Sequence, residues 1–177
     1  MKTDEKELIE GCLRNDRKSQ KRLYDFYSPK MLGVCFRYTN SKEEAEDAMI
    51  EGFTKVFAHI GTFRFECTLE NWIRKIMVNS ALTHLRQNQK FQKISFEDIV
   101  VEEQDKTTIK PEEKFAAADI MKLVQKMPDG YKVVFNLFAV EGYSHKEIAE
   151  QLNISESTSK SQFFRARKWL MDRIKNE

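Results

Sequence analysis

The chain has 177 residues, 41% of them hydrophobic and 33% charged, with a formal net charge of +2; this ordinary globular balance allows one domain or two small ones. No apolar run approaches the roughly 20 residues of a membrane span, the charged start Met1-Lys2-Thr3-Asp4-Glu5-Lys6-Glu7 is no signal peptide, and six glycines with three prolines are too few for the turns of a β-sandwich, so a cytoplasmic, all-α protein without membrane insertion is expected. Lysine plus arginine exceed aspartate plus glutamate by 16 to 13 over residues 1–90, trail by 4 to 8 over 91–120 and lead by 10 to 7 over 121–177, so two mildly basic segments flank an acidic one.

Leu8, Ile9, Leu13, Leu23, Phe26 and Tyr27 recur at helical spacing, and Pro29 predicts a break or a new helix start. Residues 31–38 form a second apolar run. Ser41-Lys42-Glu43-Glu44 is a capping box, a hydroxyl and a carboxylate placed to satisfy two orphan amides. It opens a helix with Ala45, Ala48, Met49, Gly52, Phe53, Val56 and Phe57 on one stripe, and Gly61 ends it. A short loop, Thr62-Phe63-Arg64-Phe65-Glu66-Cys67, holds two aromatics. Thr68 then caps a helix through Trp72, Ile73, Ile76, Ala81, Leu82 and Leu85, and Arg74, Lys75, Arg86 and Lys90 have no acidic neighbour between Trp72 and Lys90. Cys12, Cys35 and Cys67 read as reduced, partly buried thiols. A zinc site joining Cys67 to His59 or His84 matches no zinc spacing. No metal and no cofactor are expected.

Over residues 91–111 the helical period fades. Ile99, Val100 and Val101 sit among Glu97, Asp98, Glu102, Glu103 and Asp105, ahead of Pro111. An acidic linker, extended or poorly ordered on its own, is expected. Roughly 20 residues stretch to at most about 65 Å, close to two turns of DNA at about 34 Å each. A helix follows from Glu112 through Phe115, Ile120, Leu123, Val124 and Met127, then a turn at Pro128-Asp129-Gly130, a second helix over 131–140 and a break at Glu141-Gly142-Tyr143.

The strongest pattern lies in residues 144–170. Ser144-His145-Lys146-Glu147 is another capping box, and Ile148, Ala149 and Leu152 form the buried face of a short helix. Gln151-Leu152-Asn153-Ile154 is a tight turn in which Asn153 can adopt a left-handed conformation. Ser155 caps a long helix in which Phe163 or Phe164, Ala166 and Leu170 can pack inward. A short helix, a tight turn and a long polar-to-basic helix make a helix-turn-helix, whose second helix enters the major groove. Ser157, Thr158, Lys160, Ser161 and Gln162 are then candidates for base edges, and Arg165 and Lys168 for phosphates. An ordinary helical hairpin with a basic surface is the plainer alternative.

Gly142-Tyr143-Ser144-His145-Lys146-Glu147-Ile148-Ala149, with Ser155-Glu156-Ser157-Thr158 and Lys160-Ser161, resembles region four of bacterial sigma factors, most closely the extracytoplasmic-function (ECF) group of the sigma-70 family. The resemblance implies a domain that reads the minus-thirty-five promoter element. Two positions depart from the family's pattern: Ser159 stands where an apolar residue is usual, and Gln162 where arginine is common.

The first 90 residues resemble region two of the same family. Ala45-Glu46-Asp47-Ala48 through Phe53-Thr54-Lys55-Val56-Phe57 matches its polymerase-docking helix, which implies polymerase-binding roles for Asp47 and Glu51; Ile50 replaces a polar residue. Trp72-Ile73-Arg74-Lys75-Ile76 with Asn79 and His84-Leu85-Arg86 resembles its minus-ten reader, departing at Val78 and Thr83. Melted promoter DNA exposes bases that stack on aromatics or enter a pocket. Phe63 and Phe65 are candidate walls of that pocket. The Asn79 amide is placed to read a base edge, and Arg74, Lys75 and Arg86 to hold the backbone.

The resemblance covers about residues 10–90 and 112–175. It implies a region-two domain (1–90), an acidic linker (91–111) and a region-four helix-turn-helix domain (112–177). It also implies core RNA polymerase, promoter DNA and an anti-sigma factor as partners. An operator-binding regulator would carry the helix-turn-helix without the first domain, and a sigma mimic would lack the DNA-facing residues. No phosphate loop or nucleophile–base pair points to an enzyme.

Overall fold

A computed structural model describes residues 2–87 and 117–174, with side chains from 5–87 and 119–174. The acidic linker, the expected helix start at Glu112 with Phe115, and Lys90 lie outside the described residues. The chain divides into two compact units, Met1–Phe91 and Gln92–Glu177, and among the described residues no strand occurs.

The first unit consists of α1 (Lys2–Leu13), α2 (Arg17–Phe36), α3 (Lys42–His59), a 3₁₀ turn (Ile60–Thr62) and α4 (Leu69–Gln87). Asn15 takes the left-handed conformation that ends α1 (φ 56°), and the Asp16 carboxylate accepts the Ser19 amide at 2.9 Å to start α2. Leu23, Met31, Val34, Ala48, Val56, Ile73, Met77 and Leu82 are almost fully buried. Each large side chain among them contributes on the order of 1.5–3 kcal/mol. Gly52 lets α3 lie close to α4, since a Cβ there would stand 2.3 Å from Met77 Sδ.

Two expectations need correcting here. Pro29 lies inside α2 and does not break it. Its side chain is exposed, so the carbonyl that loses its partner can turn to water. Gly61 sits within the 3₁₀ turn without a positive φ; α3 is closed by tightening the last turn. Ser41 caps α3 through the Glu44 amide, while the Glu44 carboxylate accepts the amide of Asn40. Thr68 caps α4 through the Asn71 amide at 3.2 Å.

The second unit consists of α5 (Ala117–Gln125), α6 (Asp129–Phe135), a π-helical turn (Asn136–Val140), α7 (His145–Leu152) and α8 (Glu156–Ile174). Helices α5, α6 and α7 all pack on α8. Val124, Met127 and Ala166 form a core cluster with Ile120, Tyr131, Phe135, Trp169 and Leu170 against it. The expected helix over 131–140 begins at Asp129 and widens after Phe135, where the Glu141 amide reaches back five residues to the Asn136 carbonyl at 2.9 Å. Ser144 and Glu147 form the full reciprocal capping box, and Asn153 (φ 55°, ψ 50°) ends α7 in the left-handed region.

Candidate nucleic-acid interface

The loop ahead of α4 holds an aromatic stack. Phe63 is buried and lies 4.8 Å from the Phe65 ring and 5.6 Å from Trp72, centroid to centroid. Phe65 is 53% exposed and has φ +59°, a left-handed backbone that is strained for a phenylalanine. The fold holds this ring at the surface in a conformation that a glycine would adopt more easily. Phe65 is therefore presented to solvent, whereas Phe63 is the floor beneath it. The Lys6 ammonium lies 5.8 Å from the Phe65 centroid.

Along α4, Asn71, Lys75, Asn79 and Arg86 are all exposed and recur on one side of the helix. The opposite side buries Leu69, Ile73, Met77, Ala81 and Leu85. Val78 belongs to the core, and Thr83 donates its hydroxyl to the Asn79 carbonyl at 2.8 Å. Arg74 differs from its neighbours. It is half-buried and lies 3.6 Å from the Glu70 carboxylate, which also holds Lys30 at 2.6 Å. These two cations keep the Glu70 carboxyl below its usual range, Lys30 most of all. Arg74 thus ties α4 together, and the exposed basic side chains of this face are Lys75 and, further along, Arg86.

On α3 the inward stripe is Ala45, Ala48, Met49, Gly52, Phe53 and Val56. Asp47 and Glu51, one turn apart, are exposed on the other side, and Ile50 beside them is 57% exposed. An apolar side chain standing free between two carboxylates is a surface suited to a protein partner.

Helix α8 divides the expected reading residues into two groups. Ser157, Lys160 and Lys168 are exposed and Arg165 is half-buried. Thr158, Ser161 and Gln162 are buried, 4%, 8% and 1% exposed. Thr158 donates its amide to Ser155 Oγ at 2.9 Å, and Ser161 donates its hydroxyl to the Thr158 carbonyl at 3.0 Å. The expectation that Ser157, Thr158, Lys160, Ser161 and Gln162 all face base edges is corrected for these three: polar residues here satisfy the helix start or face the interior. Lys160 rests 3.1 Å from Glu156, both about half exposed. Such a pair is worth well under about 1 kcal/mol, so a phosphate can displace it.

Two polar features were missed in the sequence. Lys132 is 0% exposed, its ammonium 3.1 Å from Asp129. His145, at the start of α7, lies with Nδ1 2.9 Å from Ser159 Oγ on α8. Asp129 and Lys132 stand three apart on α6, so spacing allows the pair but not its burial, whereas His145 meets Ser159 only through the packing of α7 on α8. Cys12 and Cys35 are buried and Cys67 is exposed; burial pushes the Cys35 thiol up to about 12. Among the described residues no His/Cys/Asp/Glu group could hold a metal ion, and no helix is long and apolar enough to cross a membrane.

A helical unit with an exposed polar face beside an aromatic loop, followed by a helix-turn-helix unit, defines a two-part DNA-binding protein. Residues 23–91 match the family model for sigma-70 region 2, and residues 117–170 match sigma-70 region 4. The ECF RNA polymerase sigma-E factor of Haemophilus influenzae is 27% identical over 94% of this chain and 93% of its own length. The RNA polymerase sigma-H factor of Pseudomonas aeruginosa is also 27% identical, over 92% and 90%. Among solved structures, the sigma factor RpoE of Bartonella quintana, in complex with the anti-sigma factor NepR, superposes with a TM-score of 0.53 at 19% identity, covering 88% of this chain and 96% of that one. The chain belongs to the sigma-70 family of RNA polymerase sigma factors, in its ECF group. It is an alternative sigma factor: it binds core RNA polymerase, directs promoter-specific initiation and is not itself an enzyme.

Proposed function

We propose that the two units divide promoter recognition between them. The first unit (residues 1–90) docks on core polymerase through Asp47, Glu51 and the intervening Ile50, and captures the melted minus-ten element with Phe65, Asn79, Lys75 and Arg86. Phe63 backs the Phe65 ring, and Arg74 holds α4 in place through Glu70. The second unit (112–177) reads the minus-thirty-five element with Ser157 and Lys160, while Arg165 and Lys168 hold phosphates. Thr158, Ser161 and Gln162 shape the helix without touching a base. Residues 91–111 tether the units on one duplex. The observation that carries this reading is the pair of exposed polar faces, on α4 backed by a mainly apolar buried stripe and on α8 by a buried face that is polar apart from Ala166.

An anti-sigma factor belongs to the same reading, with action in the cytoplasm. Among the described residues the large hydrophobics left exposed (Leu13, Phe26, Phe36, Ile50 and Phe65) all lie in the first unit, where a regulator that competes with polymerase would bind.

The test is transcription in vitro with core polymerase, on a promoter selected by the wild-type holoenzyme from a randomised duplex library. Asn79→Ala is expected to cut open-complex formation about tenfold, the loss of one base-reading contact of roughly 1–3 kcal/mol. Lys160→Ala is expected to weaken initial binding by a similar factor and to lower the salt dependence by about one counterion. Full activity in both variants would remove these assignments.

A further inference from the structure

Ser159 stands where a helix-turn-helix of this kind usually places an apolar residue, and it is 0% exposed. A lone hydroxyl in that place costs stability unless it is hydrogen-bonded. Here its Oγ lies 2.9 Å from His145 Nδ1. The His145 ring stacks on Phe138 of the π turn, with centroids 4.3 Å apart and planes 14° from parallel. It also meets Phe163 of α8 edge-on at 5.8 Å. One imidazole therefore touches the π turn, α7 and α8. Burial, and secondarily the Lys160 ammonium, hold it below the ordinary histidine range, with Glu156 opposing. A neutral ring carries one donor and one acceptor nitrogen, enough to pair with the Ser159 hydroxyl without placing a second cation beside Lys160.

We propose that His145 is the positioning residue of the recognition helix: its hydrogen bond to Ser159 fixes the roll of α8 about its own axis, and with it which side chains face the groove. This rests on the reading of α8 as the upstream-element reader. Ser159 and Lys160 are neighbours on α8, so whatever pins the inward hydroxyl also aims the outward ammonium. With side chains a helix is about 10–12 Å across, so a roll of roughly 20° carries a side-chain tip about 2 Å. That exceeds the tolerance of a base-edge hydrogen bond. His145 itself need not touch DNA.

Ser159→Val and Ser159→Thr are almost the same shape and differ in the hydroxyl, so together they separate hydrogen bonding from packing. Full-length chains are loaded on core polymerase and assayed with the randomised duplex library and with the promoter selected by wild type. Ser159→Val is expected to lose about tenfold in affinity for that promoter and to change the ranking of upstream bases, whereas Ser159→Thr keeps both. His145→Phe combined with Ser159→Val replaces the polar pair by an apolar one, regains a folded domain and selects a different ranking from wild type. Identical behaviour of the Val and Thr variants overturns the proposal. So does an affinity loss in Ser159→Val with an unaltered ranking, because a merely loosened domain weakens on all sequences alike. If Lys160→Ala leaves upstream binding intact, the assignment of α8 fails and the positioning role falls with it. If Lys160→Ala weakens binding while the Ser159 and His145 variants match wild type, only the positioning role is lost.

Discussion

The two units solve the same problem with opposite materials. In the first, the interior is almost wholly apolar: among its described residues the buried polar ones are Thr39 and Ser80, against a long roll of leucine, methionine, valine and aromatic side chains. The second buries Lys132, Asn136, Thr158, Ser159, Ser161 and Gln162. Large hydrophobics are left exposed only in the first unit among the described residues. An apolar core in long helices leaves the outer faces free to carry function, so on α3 and α4 no polar side chain but Ser80 is buried. In the second unit polar groups also serve the interior, and α8 interleaves structural and functional residues within a single turn. Position in the helix, not residue type, decides which is which.

The largest effect is expected where the first unit's outer face carries its charge. Replacing both Asp47 and Glu51 by lysine leaves the core untouched, since both side chains are exposed. Where a docking face loses its charge complementarity the cost is several kcal/mol, so under the proposed docking the affinity for core polymerase should fall roughly a hundredfold or more. Titration of labelled chain into core polymerase measures it. An unchanged affinity with a native circular dichroism spectrum would separate this face of α3 from polymerase docking.

The contrast between the units also explains what the sequence disclosed. Helices in both units were legible from apolar periodicity, and their starts from Ser41, Thr68, Ser144 and Ser155. The turn of the helix-turn-helix was legible from Asn153, one of the few residues at ease in the left-handed region. Lys75, Asn79 and Arg86, singled out by the resemblance to region two, stand exposed on one side of α4. Illegible were features set by what packs against a helix. Pro29 stays helical because its side faces water. Arg74 is held by Glu70, whose other partner comes from α2. Thr158, Ser161 and Gln162 read as groove-facing because polarity is taken for exposure, a rule with few exceptions in the first unit and many in the second.

Lys132 sharpens that difference. Its side chain is wholly buried beside Asp129; truncation removes apolar stem and leaves a carboxylate short of a partner. Lys132→Ala should destabilise the second unit by about 2–4 kcal/mol, and Lys132→Met, which keeps the stem, by clearly less. The first unit should not respond. Each unit carries one tryptophan, Trp72 and Trp169, so denaturation followed by fluorescence in Trp72→Phe and Trp169→Phe backgrounds reads the units separately. Equal loss in both units would show that their interiors are energetically joined.

A smaller effect is expected from His145. Its folded-state pKa lies below the ordinary value of 6.5, chiefly through burial. Just above the folded value, the unfolded chain therefore binds more protons than the folded one. The stability this group contributes is fully present above about pH 6.5 and is lost as pH falls through the lower, folded value. Trp169-reported melting should fall between about pH 7 and pH 5, and His145→Gln should flatten that slope, while Trp72-reported melting is the same in both proteins. An identical slope with and without the imidazole would assign the pH response to other groups.

Gln162 gives the smallest expected change and the sharpest break between the two ways of reading α8. Its side chain is 1% exposed, and its Oε1 is buried without a hydrogen-bond partner among the described residues. An unsatisfied buried acceptor gives up little when replaced by an apolar group of similar size. Gln162→Leu should therefore leave the second unit's stability within about 1 kcal/mol of wild type or slightly raise it, and leave the upstream base ranking of the holoenzyme as it was. If instead the ranking changes at one base while stability holds, Gln162 turns outward on DNA. The inward polar face of α8 would then be a reserve of reading residues, and the division between interior and groove would shift when the duplex is bound.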